Sequence, residues 1–405
     1  MTTSRTSDGR VRESHRQTRT TLRLSLAFLV VAAAAAASGQ ERWMPLHLVL
    51  AGGVGQAISG VTLMLTVTWS AAPAPAGWAV MAQRSLLVVG AVGVVAGREL
   101  ELATAITAGA GVAYLVGLAL LAYLLVSTVA LGSERRFDVA VGGYVAALVL
   151  AVAAIGVGVY MVSDGARPEL RAAHATLNLL GFVGLVILTT LPFFGSTVGR
   201  SRMSHRVTSA RLGSVLGFQV VAVVVAAAGI VLERTMILFV ALGAYGYGIL
   251  MLLAFMPVVT RRQFDWAGPR ILALWIGPLW MSTAVLATAY EAERYDRLPF
   301  TGNWLLVLVV GGFIQIVWGA LAYLLPMLRG GGHQKLSEGF AATRSWLGLG
   351  AVNVAALGLV FEIHEVAAVA LALLLADSAW RTARVGLKRL ERPRDPHLLD
   401  QAVKS

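Results

Sequence analysis

Residues 84–96, Arg84-Ser-Leu-Leu-Val-Val-Gly-Ala-Val-Gly-Val-Val-Ala, recur as residues 344–356, Arg344-Ser-Trp-Leu-Gly-Leu-Gly-Ala-Val-Asn-Val-Ala-Ala. A weaker copy, Arg211-Leu-Gly-Ser-Val-Leu-Gly, lies between them. In each copy an arginine opens an apolar run and a glycine follows six residues later. The copies lie about 130 residues apart, and a fixed period of this kind is typical of a fold that repeats one unit.

A second pattern precedes the two strong copies. Gly52-Gly-Val-Gly-Gln-Ala-Ile-Ser-Gly matches Gly311-Gly-Phe-Ile-Gln-Ile-Val-Trp-Gly at nearly the same offset. Glycine, glutamine and glycine stand four residues apart, so they share one helix face. Small residues permit close contact between membrane helices, and a glutamine can donate a hydrogen bond across that contact. We interpret both copies as helix-packing faces.

The composition places the repeated unit in a membrane. Apolar residues make up 57% of the chain and charged residues 13%, against a soluble average of about 25% charged. Long apolar runs indicate membrane-spanning helices. The sequence predicts twelve, at residues 22–38, 44–70, 82–98, 102–131, 139–162, 170–196, 210–232, 235–259, 269–290, 302–326, 343–361 and 364–382.

The motifs fall at matching places in these spans. The arginine copies open spans 3, 7 and 11, and the glycine–glutamine copies lie in spans 2 and 10. We therefore predict an all-α polytopic membrane protein built from three pseudo-symmetric four-helix repeats, at about 22–132, 138–260 and 268–385. Because each unit has an even number of spans, the repeats are predicted to be parallel. They form one membrane domain, 22–385, between basic tails at 1–21 and 386–405.

The charge distribution predicts the orientation. With both termini in the cytoplasm, only seven of the 33 lysines and arginines fall in outer loops, which is the positive-inside pattern. The repeat arginines, Arg84 among them, are then predicted to snorkel from the cytoplasmic helix ends. The net charge of +12 is explained by this topology and by anionic lipid rather than by nucleic acid. We expect a multi-pass protein of the plasma membrane whose first span, despite a signal-like alanine run, stays in place.

Three of the seven histidines mark the candidate site. The chain has no cysteine, so disulfides and cysteine-bound metal centres are excluded. His47, His174 and His364 lie in or at spans 2, 6 and 12, each within about a turn and a half of the predicted outer end. His47 and His174 are 127 residues apart, which suggests matching positions in the first two repeats.

Imidazole is the usual axial ligand of haem iron and a common copper ligand. The sequence therefore predicts His47 and His174 as cofactor ligands, with Asn178 one helical turn beyond His174 on the same face. His364 and Glu365 are a further candidate metal pair. The alternative for each histidine is a polar residue at the membrane interface.

Twelve spans with outer-face histidines on spans 2 and 6 resemble subunit I of the haem–copper oxidase superfamily. The segments starting His47-Leu-Val-Leu-Ala-Gly-Gly and His174-Ala-Thr-Leu-Asn-Leu-Leu-Gly are similar to those of its diverged relatives. These relatives include NnrS-like haem- and copper-containing membrane proteins and the spans joined to copper nitrite reductase in some actinobacteria. The resemblance implies haem b or copper near the outer face. It also implies further histidines on spans 7 and 10 for a binuclear centre, and this chain has none there.

Three functional hypotheses follow. The first is an accessory or electron-transfer protein of nitrogen-oxide, copper or respiratory metabolism, without a binuclear oxygen- or nitric-oxide-reducing centre. Its partners would be the lipid bilayer and an external copper protein or cytochrome. The second is a transporter or channel, and the third is a cofactor-free membrane anchor for another subunit.

Overall fold

The computed structural model describes residues 7–386, and every regular element in that range is a helix. Twelve helices are long and apolar enough to cross a membrane, so the prediction of an all-α protein with twelve candidate spans is confirmed. Short helices Arg261–Ala267 and Gly332–Ala342 precede the ninth and eleventh. The long helices are α1 Ser7–Ala37, α2 Trp43–Trp69, α3 Gly77–Glu99, α4 Thr104–Ala130, α5 Asp138–Asp164, α6 Pro168–Gly199, α7 Ser209–Val231, α8 Thr235–Leu253, α9 Pro269–Tyr295, α10 Asn303–Arg329, α11 Trp346–Val360 and α12 His364–Val385. The eleventh candidate span, Gly332–Val360, comprises α11 and the short helix before it.

The described chain divides into two compact units. The first comprises the residues up to 190 together with 205–254 and 285–301. The second comprises 191–204, 255–284 and the residues from 302 onward, so α6 and α9 each contribute to both.

Helix α1 begins earlier than the sequence predicted. Residues 7–21, which the sequence analysis assigned to the N-terminal tail, are helical. One face of this part buries polar residues: Thr18 and Thr21 are each 2% exposed. The Thr18 hydroxyl lies 2.9 Å from the Ser14 carbonyl oxygen and 3.3 Å from that of Gly60, so its donor is satisfied within the protein. The predicted tail over 386–405 lies outside the described residues apart from Gly386.

Helix α3 also begins early, at Gly77 instead of residue 82. Arg84 consequently lies two turns inside the helix. The predicted boundary had placed it at the helix end. One of its terminal nitrogens donates to the Gln17 carbonyl at 3.0 Å. Arg84 therefore ties α3 to α1, in a part of the chain for which the sequence predicted only a tail.

Three of the long helices contain a π-helical segment. These segments are Leu48–Val54 in α2, Leu177–Gly184 in α6 and Leu308–Ile314 in α10, and they begin 129 and 131 residues apart. A π-helix is rare and occurs mostly as a single turn inserted into an α-helix, frequently at a functional site. The glycine–glutamine motif coincides with two of the three segments.

Two tyrosines bond to the π-helical segments of the first unit. The Tyr114 hydroxyl donates to the Ala51 carbonyl and the Tyr245 hydroxyl to the Leu180 carbonyl, both at 2.9 Å. Tyr114 and Tyr245 are each the eleventh residue of their helix, α4 and α8. A π-helical turn disturbs the regular backbone ladder, and a buried carbonyl needs a donor from elsewhere.

Glycine makes room for each hydroxyl. A Cβ atom at Gly55 would collide with the Tyr114 hydroxyl, and one at Gly184 would lie 2.6 Å from the Tyr245 hydroxyl. In the second unit Leu374 is the eleventh residue of α12, and Ile314 takes the place of Gly55 when the two glycine–glutamine motifs are aligned. Glycine thus occurs where a tyrosine hydroxyl approaches and a larger residue where no tyrosine is present.

We expect Tyr114→Phe and Tyr245→Phe each to lower the free energy of unfolding by about 1–2 kcal/mol, because each leaves a buried carbonyl without its donor. Thermal unfolding of the detergent-solubilised protein measures the effect. Tyr123→Phe is the matched control, since Tyr123 lies on α4 and is 66% exposed. Equal stability of all three variants would contradict the proposed role of the hydroxyls.

Candidate functional site

The structure brings His47 and His174 together within the first unit. Their ring centroids lie 6.4 Å apart and their planes differ by 15°. His47 precedes the π-helical segment of α2 by one residue, and His174 precedes that of α6 by three. The predicted pair therefore forms one site of two facing, half-buried imidazoles.

The His47 ring is held by its own helix. Its Nδ1 lies 2.9 Å from the carbonyl oxygen of Trp43, one turn earlier, and the Trp43 indole stacks on the imidazole at a centroid distance of 4.0 Å. The Arg98 guanidinium carbon lies 4.1 Å from the centre of the Trp43 ring, a cation–π contact. Arg98 also pairs with Glu41 at 3.5 Å. An aromatic ring and an ion pair thus cover one side of His47.

The His174 ring is held by α5. Its Nδ1 lies 2.7 Å from the Ala154 carbonyl oxygen. One turn along α5, a Cβ atom at Gly158 would come within 3.1 Å of His174 Cε1, so a glycine leaves the ring its place. Asn178 Nδ2 lies 3.3 Å from His174 Nε2 and 2.9 Å from the His174 carbonyl oxygen.

These bonds assign the protonation of both rings. A carbonyl oxygen only accepts hydrogen bonds, so Nδ1 of His47 and of His174 must each carry a proton and donate it. The lone pair of each neutral ring is then on Nε2, which is the atom available to a metal ion. Metal-binding histidines commonly donate their second ring nitrogen to a backbone carbonyl in this way.

The ring planes of His47 and His174 are nearly parallel and their centroids lie 6.4 Å apart. A metal ion shared by the two rings would have to lie in the direction of both Nε2 lone pairs, which are in the ring planes. The Asn178 side-chain amide donates to Nε2 of His174. If a metal bound that atom, this hydrogen bond would be lost, and the shorter bond from Asn178 to the His174 carbonyl would remain.

The other predicted metal pair is at the start of α12. His364 and Glu365 begin α12 in the second unit, and both are exposed. Between residues 7 and 386 no group of three or more histidine, aspartate and glutamate side chains is arranged to hold a metal ion. A metal at His364 and Glu365 stays a prediction.

The two histidines are not in equivalent register. The tyrosine-bonded carbonyls of Ala51 and Leu180 are 129 residues apart, whereas His47 and His174 are 127 apart. The histidines therefore differ by two residues when the π-helical segments are aligned. This offset turns one side chain by about 200° around its helix relative to the other.

Sequence reasoning missed the groups that orient the rings. Trp43, the Ala154 carbonyl and Gly158 each contact one of the two histidines. Trp43 precedes His47 by four residues, so the helical spacing was a usable signal. The positions of Ala154 and Gly158 opposite His174 depend on how α5 packs against α6, and no local pattern encodes that.

Comparison with protein families and with curated proteins gave no match.

Proposed function

We propose that this protein is an integral membrane protein of the haem–copper oxidase-like superfamily that holds one haem b or copper ion between His47 and His174. The supporting observation is the pair of facing imidazoles, each with Nδ1 bonded to a backbone carbonyl and Nε2 left as the ligand atom. Two histidines fixed in this manner by different helices are a donor set suited to one metal centre.

Haem b fits this donor set well. The described residues offer two protein ligands at the site and no third acidic or imidazole ligand. A porphyrin supplies four nitrogens of its own and needs only axial ligands from the protein, and copper(I) is stable with few ligands. Either group would supply one-electron transfer, and the chain's contribution is to fix both rings and shield His47 with Trp43 and Arg98.

An accessory or electron-transfer role is preferred over catalysis. Helices α7 and α10 contain no histidine, so the extra ligands that a binuclear oxygen- or nitric-oxide-reducing centre would need on these helices are missing. We propose that the protein serves nitrogen-oxide, copper or respiratory metabolism and exchanges electrons with an external copper protein or cytochrome. This assignment rests on the resemblance and on the two histidines that carry it.

We also propose that the fold is a triplicated four-helix unit with both termini on the cytoplasmic side of the plasma membrane. Three π-helical segments at nearly constant spacing support the triplication, and so do the two tyrosine bonds at matching positions. The distribution of lysine and arginine supports the orientation.

The test is the absorption spectrum and metal content of the full chain purified in mild detergent. We expect a haem Soret band that shifts on reduction, or about one copper per chain. A colourless and metal-free protein would overturn the proposal. Substrate flux in liposomes would then identify the transporter alternative, and co-purification of another subunit the anchor alternative.

Gly158→Val should lower the cofactor content at least fivefold, because the new side chain would push the His174 ring away from the Ala154 carbonyl. Haem or copper per chain is the measurement. Gly156→Val is the matched control: Gly156 lies on the same helix, and a Cβ added there would have no atom within 4 Å. Equal loss in both variants would mean that α5 itself, and not the contact with His174, was disturbed.

A further inference from the structure

The second unit contains a cluster of three arginines around two aromatic rings, which we call the arginine cluster: Arg200, Arg270, Arg344, Trp266 and Phe340. Arg200 follows α6, Trp266 lies in the short helix Arg261–Ala267, and Arg270 is in the first turn of α9. Arg344 lies in the connection that leads into α11. By the alternation of the spans, all of these segments are on the side predicted to be cytoplasmic.

Arg270 is the centre of the cluster. It is 1% exposed and is the largest side chain buried to that degree in the described chain. Its Nε donates to the Ala267 carbonyl at 3.2 Å and one terminal nitrogen to the Trp266 carbonyl at 2.8 Å. The other terminal nitrogen is buried and has no hydrogen-bond partner, and the same is true of the Trp266 indole N–H. Two buried donors are therefore left without an acceptor.

The other two arginines add charge of the same sign. The Arg200 guanidinium carbon lies 3.3 Å from the centre of the Trp266 ring, and that of Arg270 lies 5.0 Å from it. The Arg344 Nε would be 2.9 Å from a Cβ at Gly268, beside the start of α9. Both Arg200 and Arg344 are close enough to repel the Arg270 charge.

No carboxylate among residues 7–386 lies within 4.0 Å of these three guanidinium groups. Arg381 donates to the Arg344 carbonyl at 2.8 Å, but the Asp377 carboxylate nearby is already bonded to Arg381. Arg270 is buried, whereas Arg344 is half-buried and Arg200 is exposed. A buried guanidinium beside two further arginines is unfavourable unless an opposite charge compensates it. A bound anion would supply that charge and accept from the two unpaired donors.

We infer that the arginine cluster is a binding site for a phosphate-type anion. Planar guanidinium groups match phosphate oxygens with paired hydrogen bonds, and basic pockets between cytoplasmic helix ends suit phosphate headgroups. The source of the phosphate is either an anionic phospholipid or free phosphate, and both present the same oxygens to Arg270. This inference is independent of the cofactor at His47 and His174.

The experiment uses the delipidated full chain in detergent. Thermal unfolding and native mass spectrometry follow the addition of short-chain phosphatidylglycerol, short-chain phosphatidylcholine or inorganic phosphate. We expect phosphatidylglycerol to bind and raise the unfolding temperature, and phosphatidylcholine to bind at least tenfold more weakly. Saturable binding of inorganic phosphate instead would assign the site to the free ion.

Variants at the rim of the cluster decide the location of the site. Arg200→Gln and Arg344→Gln should each weaken anion binding at least tenfold, whereas Arg202→Gln, an exposed arginine of the same connection as Arg200, should not. Arg270 is avoided because its backbone bonds give it a structural role as well. Absence of anion binding, or equal binding by all three variants, would overturn the inference.

Discussion

His47→Ala and His174→Ala should each remove essentially all bound haem or copper from the purified protein. Each substitution deletes one of the two proposed Nε2 ligands, and no group of three or more histidine, aspartate and glutamate side chains in the described chain is arranged to hold a metal instead. The site would then keep only half of its proposed protein ligands, so the cofactor should be lost during purification. The reduced-minus-oxidised absorption spectrum and the metal content per chain are the measurements.

His364→Ala is the matched control for this pair. His364 is an exposed histidine at the start of α12, so its loss should leave the spectrum unchanged if the cofactor is bound by His47 and His174. The opposite pattern, in which His364→Ala loses the metal and His47→Ala keeps it, would move the site to His364 and Glu365. The three variants therefore separate the two predicted metal sites.

Gly90→Val should abolish the folded protein. A Cβ at Gly90 would lie 2.6 Å from Cβ, 2.7 Å from N and 2.8 Å from Cα of Tyr114, so α3 and α4 touch nearly backbone to backbone. Backbone atoms cannot rotate away as a side chain can, and the cost should lie at or above the upper end of the ~1–3 kcal/mol usual for overpacking. Loss of the monodisperse peak in size-exclusion chromatography is the expected result.

Gly109→Val provides the comparison. Gly109 lies on α4, and a Cβ added there would have no atom within 4 Å, so the new side chain meets open space. This variant should elute like the unmodified protein. A folded Gly90→Val protein would show that α3 and α4 can separate at little cost, contrary to the observed contact.

Local sequence patterns were sufficient to predict the long helices but not the residues at which they begin. Hydropathy gave twelve spans because each run of apolar residues is long enough to cross a bilayer. The start of α1 was wrong because residues 7–21 are mostly polar and are stabilised by tertiary contacts, such as Arg84 with Gln17. The start of α3 was wrong because the repeat pattern was used to place Arg84 at the helix end, whereas the apolar residues 77–81 are already helical. A π-helical segment has no hydropathy signature, so none of the three was predicted.

The sequence predicted the two histidines of the candidate site but not their geometry. His47 and His174 were selected because histidine is rare in apolar spans and both fell at one depth. Their approach to 6.4 Å depends on how α2 and α6 pack, which the sequence of either helix alone does not specify. The near match in sequence spacing suggested equivalent positions, but the rings form one facing pair with a two-residue offset.

The π-helical segment of α2 makes the position of His47 sensitive to the deletion of a single residue. His47 lies before Leu48–Val54 and Gln56 lies after it, so deletion of one residue between them would rotate one end of the helix against the other by about 100°. The shortened chain would still have twelve apolar stretches. The His47 imidazole would nevertheless rotate out of alignment with His174, so the loss of a single codon would be enough to abolish the proposed cofactor site.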